Sequence, residues 1–388
     1  MSNITIDLFT FPFWLTFALA IIILRSSISF HFRPHLFTVI NILFIVLIIK
    51  RNALFIVVGL IFFWLFARII EAKQFKRVVT LIVGVGVFTL FLIHKMPSVN
   101  TNFSSVGMNP LLVAIGFSYL SLRAIELIRS VYEQRHPIPD LFSTINYLIP
   151  FHMLAAGPIQ SFDDFSSNQR PPEALTVPSA IGAAQRIVWG MFKKYVLAFF
   201  IDSVFLTGFT ASGPYFFLEI QVFFLWVYLD FSAYSDIAVG VGQLVGIATP
   251  ENFNKPYLAR NMIDFWERWH ISLALFIRHN LFIPIQLRLM RLTNGRKPLL
   301  CASVAFTLSF ILCGLWHGMS LRFILWGGMH AVGLVICNAY KYWLKKLIGA
   351  KGVRQYLANR PIRIATTLIT YEFVAFSLVI VGYPFSWV

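Results

Sequence analysis

Two histidines stand beside apolar segments in settings that favour acid–base chemistry. His270 lies in the charged stretch DFWERWHISLALFIRHN, residues 264–280, and His317 follows an apolar run in LCGLWHGMS, residues 312–320. An imidazole titrates near neutral pH, so a positioned histidine can take a proton from a hydroxyl group. Ionisable groups in a membrane-like sequence are costly and mark functional sites by default. We therefore treat His270 and His317 as the candidate catalytic residues.

The charged stretch around His270 also fits a simpler interpretation. On one helix, residues three and four apart share a face, so Trp266, Trp269 and Leu273 would form one stripe. Asp264 and Arg268 would share another face. This pattern predicts an amphipathic helix that lies in the membrane interface or lines a cavity. Anchoring by tryptophans and charges explains such a helix without any catalytic role.

The histidines themselves have competing explanations. Imidazole is not a preferred interfacial anchor, so the simpler interpretation explains His270 less well. Glu267 and His270 are three apart, as in some di-metal bundles, but a second ExxH pair is missing, so no metal site is predicted. His317 taken alone could be a core histidine bonded to a carbonyl. His330, deeper in the next apolar segment, is interpreted as packed and satisfied.

A third polar cluster interrupts the apolar run VYLDFSAYSDIAVGVGQLVGI, residues 227–247. Carboxylates inside a membrane usually face a cavity or a partner, and a helix break or an ion pair is the alternative. One of its aspartates could orient a histidine. The residues predicted to contact substrate or line a funnel are Asp230, Ser232, Tyr234, Ser235, Asp236, Trp266, Arg268, Trp269 and Trp316.

Other polar groups in apolar segments are predicted to be structural. Arg123 and Glu126, three apart, are expected to pair with each other. His152, before a Gly-Pro terminator, is expected to be a satisfied core histidine. Four glycines are expected to permit close backbone approach or a helix break: Gly314, Gly318, Gly327 and Gly328.

The elements that carry these residues are predicted to be membrane helices. Of 388 residues, 58% are hydrophobic and 12% are charged, whereas soluble domains carry roughly 25% charged residues. A spanning helix needs about 20 apolar residues. About eleven segments qualify, and their uneven lengths favour tilted, broken or re-entrant helices around a cavity. The segments are 8–24, 36–49, 53–70, 78–93, 110–128, 142–159, 180–206, 215–247, 298–315, 321–343 and 362–385.

The distribution of charge and the domain organisation also fit a membrane protein. The net charge of +16 comes from basic residues that mostly flank apolar segments, so nucleic-acid binding is not favoured. The three cysteines form no CxxC pair, which argues against a disulfide framework. We predict one polytopic membrane domain over residues 1–388, with N-terminal helices over 1–109 and a motif-bearing core over 110–388.

Three long stretches resemble the membrane-bound O-acyltransferase family, in particular the bacterial branch of alginate O-acetyltransferases and teichoic-acid D-alanyltransferases. They are YLDFSAYSDIAVGVGQLVGI, ENFNKPYLARNMIDFWERWHISLALFIRHNLFIPI and LWHGMSLRFILWGGMHAVGL. Weaker support comes from GFSYLSLRAIELIRSVYE and IPFHMLAAGPI. The resemblance implies an all-α protein with its helices in a ring around a central funnel. It also maps the family's two functional histidines onto His270 and His317, the second being the presumed catalytic residue.

The resemblance implies an acyltransferase of the cytoplasmic (inner) membrane. Such an enzyme moves an acyl group, here expected to be acetyl, from a cytoplasmic thioester to a hydroxyl of an extracytoplasmic polysaccharide, envelope polymer or partner protein. The donor would be acyl-CoA or a phosphopantetheine acyl carrier, with no permanently bound cofactor. Membrane lipid surrounds such a protein, and a separate extracytoplasmic acyltransferase is an expected partner. His317 would be the general base, and His270 would position the thioester or polarise its carbonyl.

This chain departs from the family's sequence pattern at two places, and two alternative functions stay open. The relatives usually carry an Arg-Asp pair and then a tyrosine where this chain has Arg278, His279 and Asn280, which could alter donor or partner docking. The basic loop 286–297 holds one glycine where alginate-type relatives have a Gly-rich turn. A transporter or scramblase with buried Asp and His as a proton relay would also fit, although no inverted repeat is found. A structural subunit of a polysaccharide complex is the second alternative.

Overall fold

The computed structural model describes residues 10–25, 32–50, 53–71, 84, 86, 116–154, 156–167, 174–206 and 215–382. Its helices are α1 (Phe11–Leu24), α2 (Arg33–Ile49), α3 (Ala53–Glu71), α4 (Phe117–Tyr132), α5 (Leu141–Leu148), α6 (Phe162–Ser167), α7 (Val177–Phe192), α8 (Phe216–Val245), α9 (Met262–Trp266), α10 (Ile271–Ile277), α11 (Ile283–Leu292), α12 (Pro298–His317), α13 (Leu321–Ala358) and α14 (Arg360–Gly382). Short 3₁₀ turns occupy Phe151–Met153 and Pro256–Leu258, and π turns occupy Lys193–Ala198, Asp202–Leu206 and Arg278–Phe282.

The described part of the chain is an all-α membrane protein. Four of its helices, α8, α12, α13 and α14, are long and apolar enough to cross a bilayer. Helices α1, α2 and α3 are apolar but shorter. They confirm helices at the first three predicted segments, whereas the predicted segment 78–93 lies outside the described residues except for 84 and 86. The ring of eleven helices and the single domain stay predictions.

The structure shows the helix length of one predicted segment and the continuity of another. The predicted span 142–159 is wrong, because α5 ends at Leu148 after eight residues. Pro150 follows and has no N–H to continue the helical ladder, so the chain turns into a 3₁₀ helix. The long segment 215–247 is the unbroken α8, Phe216–Val245, so the helix break that the sequence had left open does not occur there.

The chain forms two compact units, of which the first comprises Met1–Gly190 and Tyr234–Pro250. Buried amides join its helices: Asn41 Nδ2 donates to Asn146 Oδ1 at 3.0 Å, and Asn41 Oδ1 accepts from the Phe151 backbone N–H at 2.9 Å. These bonds tie α2 to α5 and to the turn that follows it. Polar groups buried in this way are stable because each finds a partner.

Arg123 is fully buried in the same unit, and its predicted pairing with Glu126 is wrong. Its guanidinium donates to backbone carbonyl oxygens at 3.0–3.3 Å, those of Leu148, Met153 and Pro158. Glu126 instead accepts from the backbone N–H of Phe162 at 3.4 Å. The broken stretch after α5 exposes carbonyls that a continuous helix would have used, and Arg123 satisfies them.

The second unit comprises Met191–Ala233 and Glu251–Val388. Helices α12 and α13 pack against each other through Gly314 and Gly327. A Cβ at Gly314 would collide with the Phe323 carbonyl, and a Cβ at Gly327 would collide with the Phe310 carbonyl. Close approach is therefore confirmed at this glycine pair. It is wrong for Gly328, which lies in mid-helix with open space around it.

Candidate functional site

The segment that carries His270 is not one helix, which corrects the amphipathic-helix prediction. Helix α9 is capped by Asn261, whose side chain accepts from the backbone N–H groups of Ile263 and Asp264. It ends at Trp266, and His270 adopts a left-handed conformation with φ 43° and ψ 52° before α10 begins. The left-handed residue redirects the chain, so the expected stripe of tryptophans along one helix face does not form.

A short antiparallel pairing holds the turn around His270. The backbone N–H of Asn254 donates to the Arg268 carbonyl at 2.9 Å, and that of Ile271 donates to the Asn252 carbonyl at 3.0 Å. Phe253 and Trp269 form the bridge between these two bonds. Backbone pairing on both sides therefore fixes where His270 lies.

The His270 ring is buried, with 2% of the residue exposed. Its Nδ1 lies 3.3 Å from Asn252 Oδ1, and Phe231 meets it edge-on with ring centroids 4.7 Å apart. Burial holds the pKa of His270 well below its usual value, and the charge that His317 can carry lowers that pKa further. His270 is therefore neutral at pH 7, and His317 lies within electrostatic reach of it.

His317 is the last residue of α12, where the N–H of Gly318 closes the helix on the Gly314 carbonyl at 3.1 Å. The residue is half-buried. Its ring packs edge-on against Trp316 at 4.7 Å and against Trp326 at 5.2 Å. A helix end positions the imidazole, and the two indoles limit its motion.

His330 is a satisfied core histidine, as predicted. Trp266 Nε1–H donates to His330 Nδ1 at 3.3 Å, so the proton of the neutral ring resides on Nε2. Nε2 donates to Ser377 Oγ at 2.9 Å, and that hydroxyl donates to the Val374 carbonyl at 2.7 Å. Trp266 is therefore part of a structural chain as well as a predicted lining residue.

Asp264 and Arg268, predicted only to share a helix face, form an ion pair at 2.6 Å although α9 ends at Trp266 between them. Arg268 also donates to the Asn254 carbonyl at 3.3 Å, which reinforces the backbone pairing around His270. Trp269 is buried and stacks on Phe265 with ring centroids 5.6 Å apart. Arg268 and Trp269 thus hold in place the residues that directly precede His270.

The polar residues of α8 are engaged by basic side chains. In the second unit, Lys194 Nζ lies 2.7 Å from Asp230 Oδ1, and Lys193 Nζ donates to Ser232 Oγ at 2.9 Å. Both lysines occupy the π turn that follows α7. The ion pair, one of the alternatives left open by the sequence, is therefore what the structure shows for Asp230.

The first unit repeats this arrangement at Asp236, which lies 3.0 Å from Arg186 Nε. Tyr234 and Ser235 beside it are buried. His152 is buried as expected and its Nε2 lies 3.0 Å from Thr249 Oγ1, but its buried Nδ1 has no hydrogen-bond partner among the described residues, so the histidine is satisfied at one ring nitrogen only. Arg186, Lys193 and Lys194 were not predicted as partners of these aspartates, although their position inside the apolar segment 180–206 was the available signal.

A cavity of about 380 Å³ lies beside the His270 turn in the second unit. Neither candidate histidine lines it, although Trp266, Glu267 and Ile271 on both sides of His270 do. Its walls are mainly aliphatic and aromatic, with polar groups from Glu267, Arg278, Gln286 and Asn338. Such a lining suits an elongated, mostly apolar group with a few polar atoms. In the part of the chain that the structure describes, no three His, Cys, Asp or Glu residues are grouped to hold a metal ion.

Comparisons with known proteins give a family match over most of the chain. Residues 88–380 match the model of the MBOAT, membrane-bound O-acyltransferase family. The chain is 27% identical over 282 residues to the teichoic acid D-alanyltransferase of Bacillus subtilis, covering 70% of this chain and 69% of that protein.

Two further relatives are similar over shorter parts of their length. The probable alginate O-acetylase AlgI of Pseudomonas aeruginosa is 32% identical over 252 residues, covering 62% of this chain and 47% of that protein. The peptidoglycan O-acetyltransferase of Helicobacter pylori is 34% identical over 189 residues, covering 48% of this chain and 33% of that protein. The chain therefore matches less than half the length of these two relatives.

Proposed function

Because the chain belongs to the membrane-bound O-acyltransferase family and is an acyltransferase, we propose that it moves an acetyl group from a thioester to a hydroxyl of a cell-envelope polymer. The observation that carries the proposal is that the matched region holds both histidines, with His270 buried and fixed by its paired turn and His317 at the end of α12. Relatives named for alginate and peptidoglycan O-acetylation support acetyl, whereas the D-alanyltransferase relative makes D-alanyl the competing acyl group.

The proposed reaction needs a base and a fixed donor. His317 takes the proton of the acceptor hydroxyl as its oxygen attacks the thioester carbonyl carbon. The tetrahedral intermediate then collapses, the C–S bond breaks, and the imidazolium of His317 returns the proton to the departing thiolate. His270 positions the reactants, because it is buried, neutral and held by its turn.

The cavity beside the His270 turn is the proposed donor site. Acyl-CoA and an acyl carrier both present a long, thin pantetheine arm with a phosphate at its far end. The apolar walls fit the arm, and Arg278, an exposed cation at the lining, fits the phosphate. We place the protein in the cytoplasmic membrane, with an extracytoplasmic acyltransferase or polymer as the acceptor.

The test is acyl transfer by the purified protein in lipid nanodiscs. Radiolabelled acetyl-CoA, acetyl-loaded carrier protein and D-alanyl-loaded carrier protein are supplied in turn with an envelope-polymer acceptor. Transfer of label to polymer, with release of one thiol per acyl group, is the expected result. The His317→Ala protein should lose this transfer, and the His136→Ala protein, altered at a half-buried histidine bonded to Asp163, should keep it. Unchanged transfer by folded His317→Ala protein would overturn the assignment.

A further inference from the structure

The oxygen atom of Asn252 is identified by its hydrogen bonds. The backbone N–H of Ser272 donates to it at 3.2 Å, and the Ser272 hydroxyl donates to it at 2.6 Å. A backbone N–H can only donate, so the amide atom facing Ser272 must be Oδ1 and not Nδ2. Asn252 is itself fully buried, and its backbone carbonyl accepts from Ile271, so the side chain has a fixed position.

The same oxygen faces His270 and therefore decides where the proton of its ring resides. Nδ1 of His270 lies 3.3 Å from Asn252 Oδ1. An amide oxygen only accepts, so Nδ1 must carry the proton that joins the two groups. A neutral imidazole holds one N–H, which leaves Nε2, on the far side of the ring, with a lone pair.

We propose that Asn252 is a positioning residue, which holds His270 in the tautomer with the proton on Nδ1 and an accepting Nε2. This inference rests on the proposed function of the site. An accepting Nε2 can hold an O–H or N–H donor such as the hydroxyl of the acceptor. It cannot donate a hydrogen bond to an oxyanion, which needs an N–H aimed at it. Of the two roles open to His270, positioning the reactants is therefore the one assigned, and polarising the thioester carbonyl is excluded.

The surroundings of His270 support this tautomer. Phe231 from α8 covers the ring edge-on, Asn252 holds Nδ1, and the titratable group whose charge reaches the ring is His317 of α12. The lowered pKa of His270 keeps the ring neutral, so the tautomer and not the cation is the working form.

The first test reads the tautomer without any activity. Histidine labelled with ¹⁵N is incorporated into the full-length protein in nanodiscs, and the His270 signals are assigned by difference from the His270→Gln protein. We expect a protonated Nδ1 and an unprotonated Nε2. A protonated Nε2 in the unaltered protein would overturn the proposal whatever the enzyme's substrate proves to be.

The second test separates positioning from simple structural support. Asn252→Ala should lower kcat by about 10- to 100-fold, in line with the loss seen when the orienting partner of a metal-bound histidine is removed. Asn252→Asp keeps the accepting oxygen but adds a negative charge, which stabilises the imidazolium. The acidic limb of its pH profile for kcat/KM should therefore move to higher pH by about one unit. Ser272→Ala, which removes one donor to Asn252 and leaves the His270 contact, is the matched control and should retain transfer with an unmoved profile.

Each outcome bears on one proposal. If Asn252→Asp folds and its pH profile does not move, the positioning role is wrong, while the acyl-transfer proposal stands on the unaltered protein's activity. If the unaltered protein transfers no acyl group from any donor, the proposed function fails and the nitrogen spectrum still decides the tautomer.

Discussion

The indole N–H of Trp266 lies 3.3 Å from Nδ1 of His330. This bond identifies His330 as a structural histidine, in contrast to the two candidate catalytic histidines, His270 and His317. Both nitrogens of His330 are used within the protein, since Nε2 lies 2.9 Å from Ser377 Oγ. His270 uses Nδ1 toward Asn252 and presents Nε2 on the other side of its ring. Both histidines are buried, and their hydrogen bonds show which of them has both ring nitrogens committed within the protein.

Replacing His330 should reduce stability rather than chemistry. His330→Leu leaves the Trp266 N–H without its acceptor in the core, and such a loss costs about 1–3 kcal/mol of unfolding free energy. The melting temperature should fall, while transfer per folded molecule stays close to that of the unaltered protein. His317→Ala should give the opposite pair of results, with a loss of transfer of roughly 10²–10⁴-fold and little change in melting. A His330→Leu protein that melts normally but transfers nothing would contradict the structural role.

The glycine pair between α12 and α13 should tolerate no side chain. Gly314→Ala and Gly327→Ala each place a methyl group against a backbone carbonyl, and such overpacking costs about 1–3 kcal/mol. Gly328→Ala is a matched control, because it adds the same methyl group to the same helix with open space around it. It should be neutral or stabilise by up to about 1 kcal/mol, as alanine favours helix over glycine. Thermal unfolding in one detergent compares all three, and equal melting of Gly327→Ala and Gly328→Ala would refute the prediction.

The sequence predicted features that depend on residues close together in the chain, namely the length of an apolar run and the spacing of side chains along it. Apolar length located α12 and α14, and the i, i+4 spacing placed Asp264 and Arg268 near each other, where the structure shows an ion pair. Prediction from sequence failed where contacts with backbone distant in the chain determine the conformation. Arg123 satisfies carbonyls released by a break after α5, and nothing in its own helix announces that break. The orientation of His270 depends on a left-handed turn paired with residues 252–254, which helical periodicity cannot reveal.

The buried neutral state of His270 should make stability depend on pH. Its pKa is lowered in the folded protein, whereas in the unfolded chain a histidine titrates near about 6.5. Below that pH the unfolded chain binds a proton that the folded protein does not, so stability is present above about pH 6.5 and falls as the pH is lowered. His270→Gln should therefore lose less melting temperature than the unaltered protein between about pH 7 and about pH 5. His136→Gln, at a half-buried position, is the control, and an identical pH dependence in the His270→Gln and unaltered proteins would contradict this account.

The more buried of the two ion pairs made by α8 should contribute more to the free energy of unfolding. The Asp236 side chain is 18% exposed beside Arg186, whereas that of Asp230 is 36% exposed beside Lys194. Asp236→Ala removes the carboxylate that Arg186 contacts and should cost about 1–3 kcal/mol. Asp230→Ala should cost less than about 1 kcal/mol, because solvent screens the more exposed pair. Urea or thermal unfolding measures both, and a larger loss at Asp230 would reverse the expected order.

Changes to the cavity beside the His270 turn should affect binding of the acyl donor more than binding of the acceptor. Ala274 lines it, so Ala274→Phe occupies space that the donor's arm is proposed to use. We expect KM for the acyl donor to rise about tenfold, equivalent to roughly 1.4 kcal/mol of lost binding, with KM for the acceptor unchanged. Leu287→Phe is the control, because this exposed residue lies outside the lining. The two proteins should melt alike, which separates a filled cavity from a misfolded one. If Ala274→Phe leaves the donor's KM unchanged, the donor reaches the histidines by another route.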